Sequence, residues 1–184
     1  MVILTQVEIA ERIGQSAAEA FAGFYEQYLP KVYRYISYRV SDTHVAEDIT
    51  SAVFEKALTK FKSFSPEKAS FSTWVFTIAR NTLTDYFRTG GKAQIVYDES
   101  PIGMTRQEDS PADQSEGKEE IKLLHVYVSK LSKVEQEIIS LKFGGEMTNR
   151  QIAKELGMTE SNVGVIVYRA VRKLRDDFRG GQSE

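Results

Sequence analysis

The sequence predicts an all-α protein of two small helical domains joined by a flexible acidic tether, and three observations predict it. Apolar residues from Ala17 to Arg88 recur at three- and four-residue steps, with no segment of strand period. From Lys92 to about Glu120 that period stops, and Pro, Gly, Ser and acidic residues take over. From Ile121 helical spacing returns in short pieces, several opened by capping residues and broken by glycine. The expected boundaries are therefore a domain over 1–91, a linker over 92–120 and a second domain over 121–184.

Met1–Ser16 is weakly patterned, with Ile3, Val7, Ala10 and Ile13 suiting one marginal helix. Phe21, Phe24, Tyr25, Tyr28, Val32, Tyr35 and Ile36 then form one stripe of a long helix, where Pro30 predicts a kink and the aromatics predict core. Ser41 or Asp42 caps a helix running to about Lys60. Phe61–Ser70, with Pro66 and several serines, is a loop. In Phe71–Arg88 the residues Phe71, Trp74, Val75, Ile78, Ala79, Thr82 and Tyr86 share a core face, and Gly90-Gly91 stops the helix. The linker carries Asp98, Glu99, Glu108, Asp109, Asp113, Glu116, Glu119 and Glu120 against few bases.

Past the linker, Leu123, Leu124, Val126, Tyr127 and Leu131 mark a helix. Ser132 with Glu135 is a capping box ahead of Val134, Ile138, Ile139 and Leu141, and Gly144-Gly145 breaks that helix. Thr148 with Gln151 opens a short helix on Ile152, Ala153 and Leu156, which Gly157 closes. Thr159 caps the last helix, carried by Val163, Val167, Ala170, Val171 and Leu174 to about Phe178. A short helix, a Gly-containing turn and a longer basic helix make a helix-turn-helix.

Composition sets limits. At 184 residues and 41% hydrophobic the chain can bury real cores, and a net charge of −2 means that any nucleic-acid function needs segregated charge. The absence of cysteine excludes a disulfide framework and a thiolate metal site, and His44 and His125 read as ordinary helix residues. No signal-peptide succession and no membrane-length apolar run is visible, so a soluble, cytoplasmic protein without membrane insertion is expected. No Gly-rich phosphate loop or nucleophile–base pair appears, so neither catalysis nor a cofactor is expected.

Opposite the core face of Phe71–Arg88 stand Thr73, Thr77, Arg80, Thr84 and Arg88, with Phe76 and Phe87 on the margin. Guanidinium for phosphate, hydroxyls for sugar and rings for stacking are what single-stranded nucleic acid uses, although a plain solvated face is the alternative. The string F-S-T-W-V-F-T-I-A-R-N resembles region 2 of bacterial sigma factors, in the extracytoplasmic-function (ECF) subgroup. The resemblance implies that this helix, Asn81 included, captures an opened minus-ten strand. It also implies that the preceding loop receives a flipped base, with Phe64, Ser65 and Lys68 lining the pocket.

On Val45–Leu58, the residues Val45, Ile49, Ala52 and Val53 are expected inside and Glu47, Asp48, Ser51 and Glu55 outside, with Phe54 and Leu58 flanking the acidic face. By itself such a face reads first as a plain solvated one; as a poor phosphate ligand near a nucleic-acid helix, it otherwise suits a protein partner. It resembles region 2.2, A-E-D-I-T-x-x-V-F, which implies docking on the clamp coiled coil of the largest subunit of core RNA polymerase.

Opposite the core stripe of the last helix lie Ser161, Val165, Tyr168, Arg169 and Arg172, with Lys173 and Arg175 adding charge. T-x-x-Q-I-A-x-x-L-G-M-T-x-x-N-V, from Thr148 through Thr159 and Asn162 to Val163, and R-A-x-x-x-L-R from Arg169 are similar to sigma region 4. Gly164 and Ile166 stand where many relatives carry Lys or Arg. The resemblance implies a sigma factor that directs promoter-specific initiation, reading the minus-thirty-five element as duplex and the minus-ten element as single strand. The linker would thread the polymerase channel, and an anti-sigma factor would hold the protein inactive. A freestanding helix-turn-helix regulator would leave Ala17–Arg88 unexplained. A helical adaptor without DNA binding would leave the arginines opposite the core stripes unexplained.

Overall fold

The structure, a computed structural model, describes residues 15–90 and 125–180, with side chains from 17 to 90 and from 125 to 178. The expected N-terminal helix over Met1–Ser16 falls almost entirely, and the 92–120 linker entirely, outside the described residues. Helix α1 is Gln15–Ser37, α2 is Thr43–Lys60 and α3 is Phe71–Arg88. A helical segment over 125–129 precedes α4, Lys133–Ile139, which continues as a π-helical turn over Ser140–Gly144. Helices α5, Asn149–Leu156, and α6, Glu160–Gly180, are the last of the described residues. Among the described residues there is no strand.

Local chemistry sets these boundaries. Asp42 caps α2, accepting from the backbone N–H of His44 at 2.9 Å and of Val45 at 3.2 Å. Ser70 caps α3, and both expected capping boxes form, Ser132 with Glu135 and Thr148 with Gln151. Gly157 ends α5 at φ 65°, a left-handed conformation that glycine adopts without a Cβ penalty. Helix α1 runs through Pro30 as one element.

The first three helices pack as a bundle with α2 in the middle. Phe21, Tyr25, Val32, Tyr35 and Ile36 of α1 meet Ile49, Val53, Phe54 and Leu58 of α2 and Val75, Ile78 and Ala79 of α3. Phe24, Phe61, Phe64, Phe71 and Trp74 close one end with rings 4.2 to 6.4 Å apart. This core continues into the C-terminal unit through Ile138, Leu141, Met147, Ile152 and Val163, so the two units are docked. A second cluster, Val128, Leu131, Ile139 and Ala170, takes in Tyr38 from the N-terminal side.

Gly144-Gly145 is the joint. It does end the helix, as the sequence suggests, but its position asks for more. A Cβ on Gly144 would lie 2.7 Å from the Cα and N of Tyr35, and one on Gly145 would lie 2.8 Å from the Phe76 ring. Only residues without side chains let the π turn approach the backbone of α1 and the flank of α3 this closely.

Candidate nucleic-acid interface

Three faces carry the sequence-predicted site residues. On α3, Thr77, Asn81, Thr84 and Arg88 are exposed, and Thr73 and Arg80 are half-buried. Thr77 donates to the Thr73 carbonyl at 2.8 Å and Thr84 to that of Arg80, so part of the hydroxyl row is turned back onto its own helix. Arg88 pairs with Asp85 at 3.1 Å across one turn, an exposed contact of little energetic weight.

Phe76 does not belong to this face. It is fully buried, edge-on to Tyr35 at 5.6 Å and against Gly145, so the expectation of a ring free to stack on a base is corrected. The wheel leaves Phe76 between the two faces of α3, and the C-terminal unit covers that margin. In the loop, Lys68 is exposed and Ser65 half-buried, while the Phe64 ring lies 5.0 Å from that of Trp74 within the aromatic cluster.

The acidic face of α2 is narrower than expected. Asp48 is exposed and Glu47 and Glu55 are partly exposed, but Ser51, Phe54 and Leu58 are buried. The sequence placed those three outside or on the flank. Helix α2 packs between α1 and α3, so its apolar arc is wider than one stripe; Phe54 packs edge-on to Tyr25 at 4.8 Å and Ser51 donates to the Glu47 carbonyl at 3.0 Å.

Helix α6 presents Ser161, Asn162, Val165, Tyr168, Arg169 and Arg172 to solvent, Tyr168 at 68% exposure. The Thr148 and Thr159 hydroxyls cap α5 and α6, accepting from the N–H of Gln151 and of Asn162. Lys173 bonds Glu135 at 2.7 Å, which with the Ser132 cap holds that carboxyl below its ordinary range. Lys173 therefore ties α6 to α4 rather than standing free on the exposed face. Gly164 is required by no close contact, since a Cβ there would meet only the Asn149 amide at 3.6 Å. Ile166, half-buried, packs on the main core, which gives this departure from Lys or Arg a structural use.

The residues that sequence reasoning missed join the two units. The Glu155 carboxyl shares the single Thr77 hydroxyl proton with the Thr73 carbonyl, its oxygens lying at 3.0 and 3.1 Å, and its main-chain carbonyl accepts from Arg80 at 3.3 Å. The Glu155 side chain is 5% exposed, and burial raises its pKa against the opposing pull of Thr77 and Arg80. Glu146 pairs with Lys31 at 2.8 Å and with Arg34, and Lys31 leads the causes that lower its pKa. Glu137 accepts from the Tyr35 hydroxyl at 2.9 Å and pairs with Arg39. Burial, then Glu137, pushes the Tyr35 phenol well above its ordinary value. The available signal was charge of opposite sign on two domains, Lys31, Arg34 and Arg39 against Glu137, Glu146 and Glu155. Among the described residues no acidic or histidine cluster could hold a metal, and no helix is long and apolar enough to cross a membrane.

Comparison with known proteins gives these faces a common context. Sigma-70 region 2 matches residues 24–93 and Sigma-70 region 4 matches residues 121–174. The chain is 34% identical over 169 residues to the ECF RNA polymerase sigma factor BldN of Streptomyces coelicolor, covering 91% of this chain and 64% of that protein. It is 28% identical over 162 residues to the ECF sigma factor SigM of Bacillus subtilis, covering 87% of this chain and 96% of that one. The fold is similar to that of CnrH, solved with the cytosolic domain of CnrY, at a TM-score of 0.66 and 18% identity over 95% of this chain and 97% of that one. It is also similar to that of the sigma factor RpoE of Bartonella quintana, solved with the anti-sigma factor NepR, at a TM-score of 0.62 and 22% identity over 88% and 98% of the two chains.

Proposed function

Because this chain belongs to the extracytoplasmic-function sigma factors, we propose that it binds core RNA polymerase and directs promoter-specific initiation in the cytoplasm. The observation that carries this reading is two chemically different nucleic-acid faces on one chain. The α6 face offers Ser161, Asn162, Val165, Tyr168 and Arg169 at the end of a helix-turn-helix, a geometry for the major groove of duplex DNA. The α3 face offers Thr73, Thr77, Arg80, Asn81, Thr84 and Arg88, suited to the sugar-phosphate chain of an opened strand. A regulator that only read duplex DNA would have no use for the second.

In this division of labour, residues 1–91 hold polymerase and the minus-ten strand, and residues 121–184 read the minus-thirty-five element across the 92–120 tether. The Asp48, Glu47 and Glu55 surface recruits polymerase, now without Ser51, Phe54 and Leu58, whose burial withdraws them. The loop residues Ser65 and Lys68 receive the extruded base, and Phe64 and Trp74 form the pocket wall. The chain does no chemistry itself; bond formation belongs to the polymerase. That RpoE was solved with an anti-sigma factor supports a partner of that kind for this chain as well.

The test is run-off transcription with bacterial core polymerase on a randomised promoter library, comparing the wild type with Asp48→Arg. The wild type is expected to select a two-part promoter. Asp48→Arg is expected to lose core binding with its helicity unchanged, since surface substitutions rarely alter stability by more than about 0.5 kcal/mol. No promoter-selective product from the wild type would reject the function, and wild-type core binding by Asp48→Arg would reject the recruitment surface.

A further inference from the structure

Two buried side-chain polar atoms among the described residues have no hydrogen-bond partner, and one of them, Asn149 Oδ1, lies in the helix-turn-helix. A buried acceptor without a donor costs stability, so a role in folding does not account for it. The other end of the same carboxamide has a different setting. Asn149 Nδ2 is the nearest atom to the place where a Cβ on Gly164 would stand, at 3.6 Å. Gly164, the fifth residue of α6, lines an open cleft with Tyr168 and Arg172 and with the half-buried Val167 and Val171. In a helix-turn-helix the first residues of the second helix face the base edges, so a side chain at the fifth position would ordinarily reach a base. Here that position has no side chain, and an amide from α5 stands beside it.

The burial of Oδ1 decides what this amide can recognise. A full asparagine–adenine pair accepts from N6 and donates to N7, so it needs both ends of the carboxamide. With the oxygen sealed, only the two N–H donors of Nδ2 are left to act. A lone donor is matched by an acceptor, and in the major groove guanine offers O6 and N7 and thymine offers O4. Cytosine presents only its amino donor there, and is refused. A backbone phosphate is the weaker match: the amide is neutral, while the exposed Arg169 and Arg172 on α6 offer charge-assisted bonds to the same oxygens.

We infer that Asn149 is a specificity-determining residue for duplex DNA, its Nδ2 donating to a guanine or thymine edge through the opening that Gly164 leaves. One base is then read from the first helix of the motif instead of the second. This rests on the proposed function and adds to it the class of base that one contact selects.

The test is selection of duplexes randomised through the minus-thirty-five element, by the full chain with bacterial core polymerase. The wild type is expected to favour guanine or thymine at one position by about fivefold, the worth of one neutral hydrogen bond. Asn149→Ala should flatten that position and leave the others. Asn149→Asp keeps the shape but exchanges the donor for an acceptor, so the preference should turn toward cytosine or adenine, whose amino groups donate. Gly164→Leu, which fills the opening, should flatten the same position. The melting temperature of Asn149→Ala should not fall, because the substitution removes an unpartnered buried acceptor. A merely structural asparagine would give the reverse, a lower melting temperature with the base profile intact. That result, an unchanged profile in Asn149→Asp, or flattening of a different position by Gly164→Leu would overturn the inference alone. So would a uniform loss on all sequences by the Asn149 variants, which would put the amide on a phosphate. Absence of any promoter preference from the wild type would overturn the sigma function, and the inference with it.

Discussion

Replacing Gly144 with alanine tests the joint most directly. The added Cβ would sit 2.7 Å from the Cα and N of Tyr35 and 2.9 Å from the carbonyl carbon of Arg34, where carbon atoms ordinarily stop at about 3.5 Å. The opposing atoms are backbone within a helix, so they cannot swing aside, and the units must part by nearly an ångström or more. Overpacking of this kind costs about 1–3 kcal/mol. The entropic gain of a glycine-to-alanine change, about 0.4–1 kcal/mol, acts on the unfolded chain and leaves the docked-to-separated balance untouched. That balance should therefore shift by about 5- to 150-fold. The pair Lys31–Glu146 is exposed and screened by salt, so salt alone should open the wild type far less. The assay is energy transfer between dyes on one engineered cysteine in each unit. Gly23→Ala is the control: it meets nothing within 4 Å in an exposed turn of α1 and should stabilise the chain by about 0.5–1 kcal/mol. A folded Gly144→Ala protein with wild-type energy transfer would refute the close backbone contact.

Three further outcomes follow from the same structure. Phe76→Ala should cost about 3–5 kcal/mol of stability in urea unfolding followed by the single tryptophan, Trp74, whereas a loss confined to DNA binding would restore the ring to the surface. Arg172→Ala should weaken binding to all duplexes alike and lower the salt slope by about 1, while Val165→Ala should relax preference at a thymine; promoter-library binding over a range of salt would expose a reversed assignment. Tyr35 should ionise after the other tyrosines in an ultraviolet absorbance titration. Its raised folded pKa means that its contribution is intact below the ordinary range near 10 and is lost as pH climbs through the raised value, so a tyrosinate signal complete in the ordinary range would show the ring to be accessible.

What the sequence made legible was local. Ser132 with Glu135, Thr148 with Gln151, and Gly157 announce helix ends through partners three or four residues away, and each forms as read. The exposed face of α6 was legible for a related reason: its apolar residues form a single stripe, which defines its opposite. Helix α2 defeats the same method because it packs between α1 and α3, which drew in Ser51, Phe54 and Leu58. Phe76 and Glu155 lay beyond reach for another reason. Their partners sit 78 or fewer residues away in the other domain, and no periodicity within one helix reports a surface folded against it. Gly144-Gly145 was visible as a break but not as a joint, since a missing side chain says nothing about what comes close to it.

The π turn at Ser140–Gly144 bears on how parts of such proteins can be exchanged. Its N–H of Gly145 reaches back five residues to Ser140, at 3.0 Å, where an α-helix would reach back four. The turn thus holds one residue more than an α-helical turn, and each residue carries about 100° of rotation. A C-terminal module grafted from a relative that is one residue shorter here would still form its capped helices and expose the same face of its last helix. It would arrive turned by about 100°, with Glu146 and Met147 directed away from Lys31 and the shared core. Such a chimera would keep the exposed face of its last helix and lose the docking, so the spacing between Ser132 and Thr148 carries orientational information that its residue types alone do not.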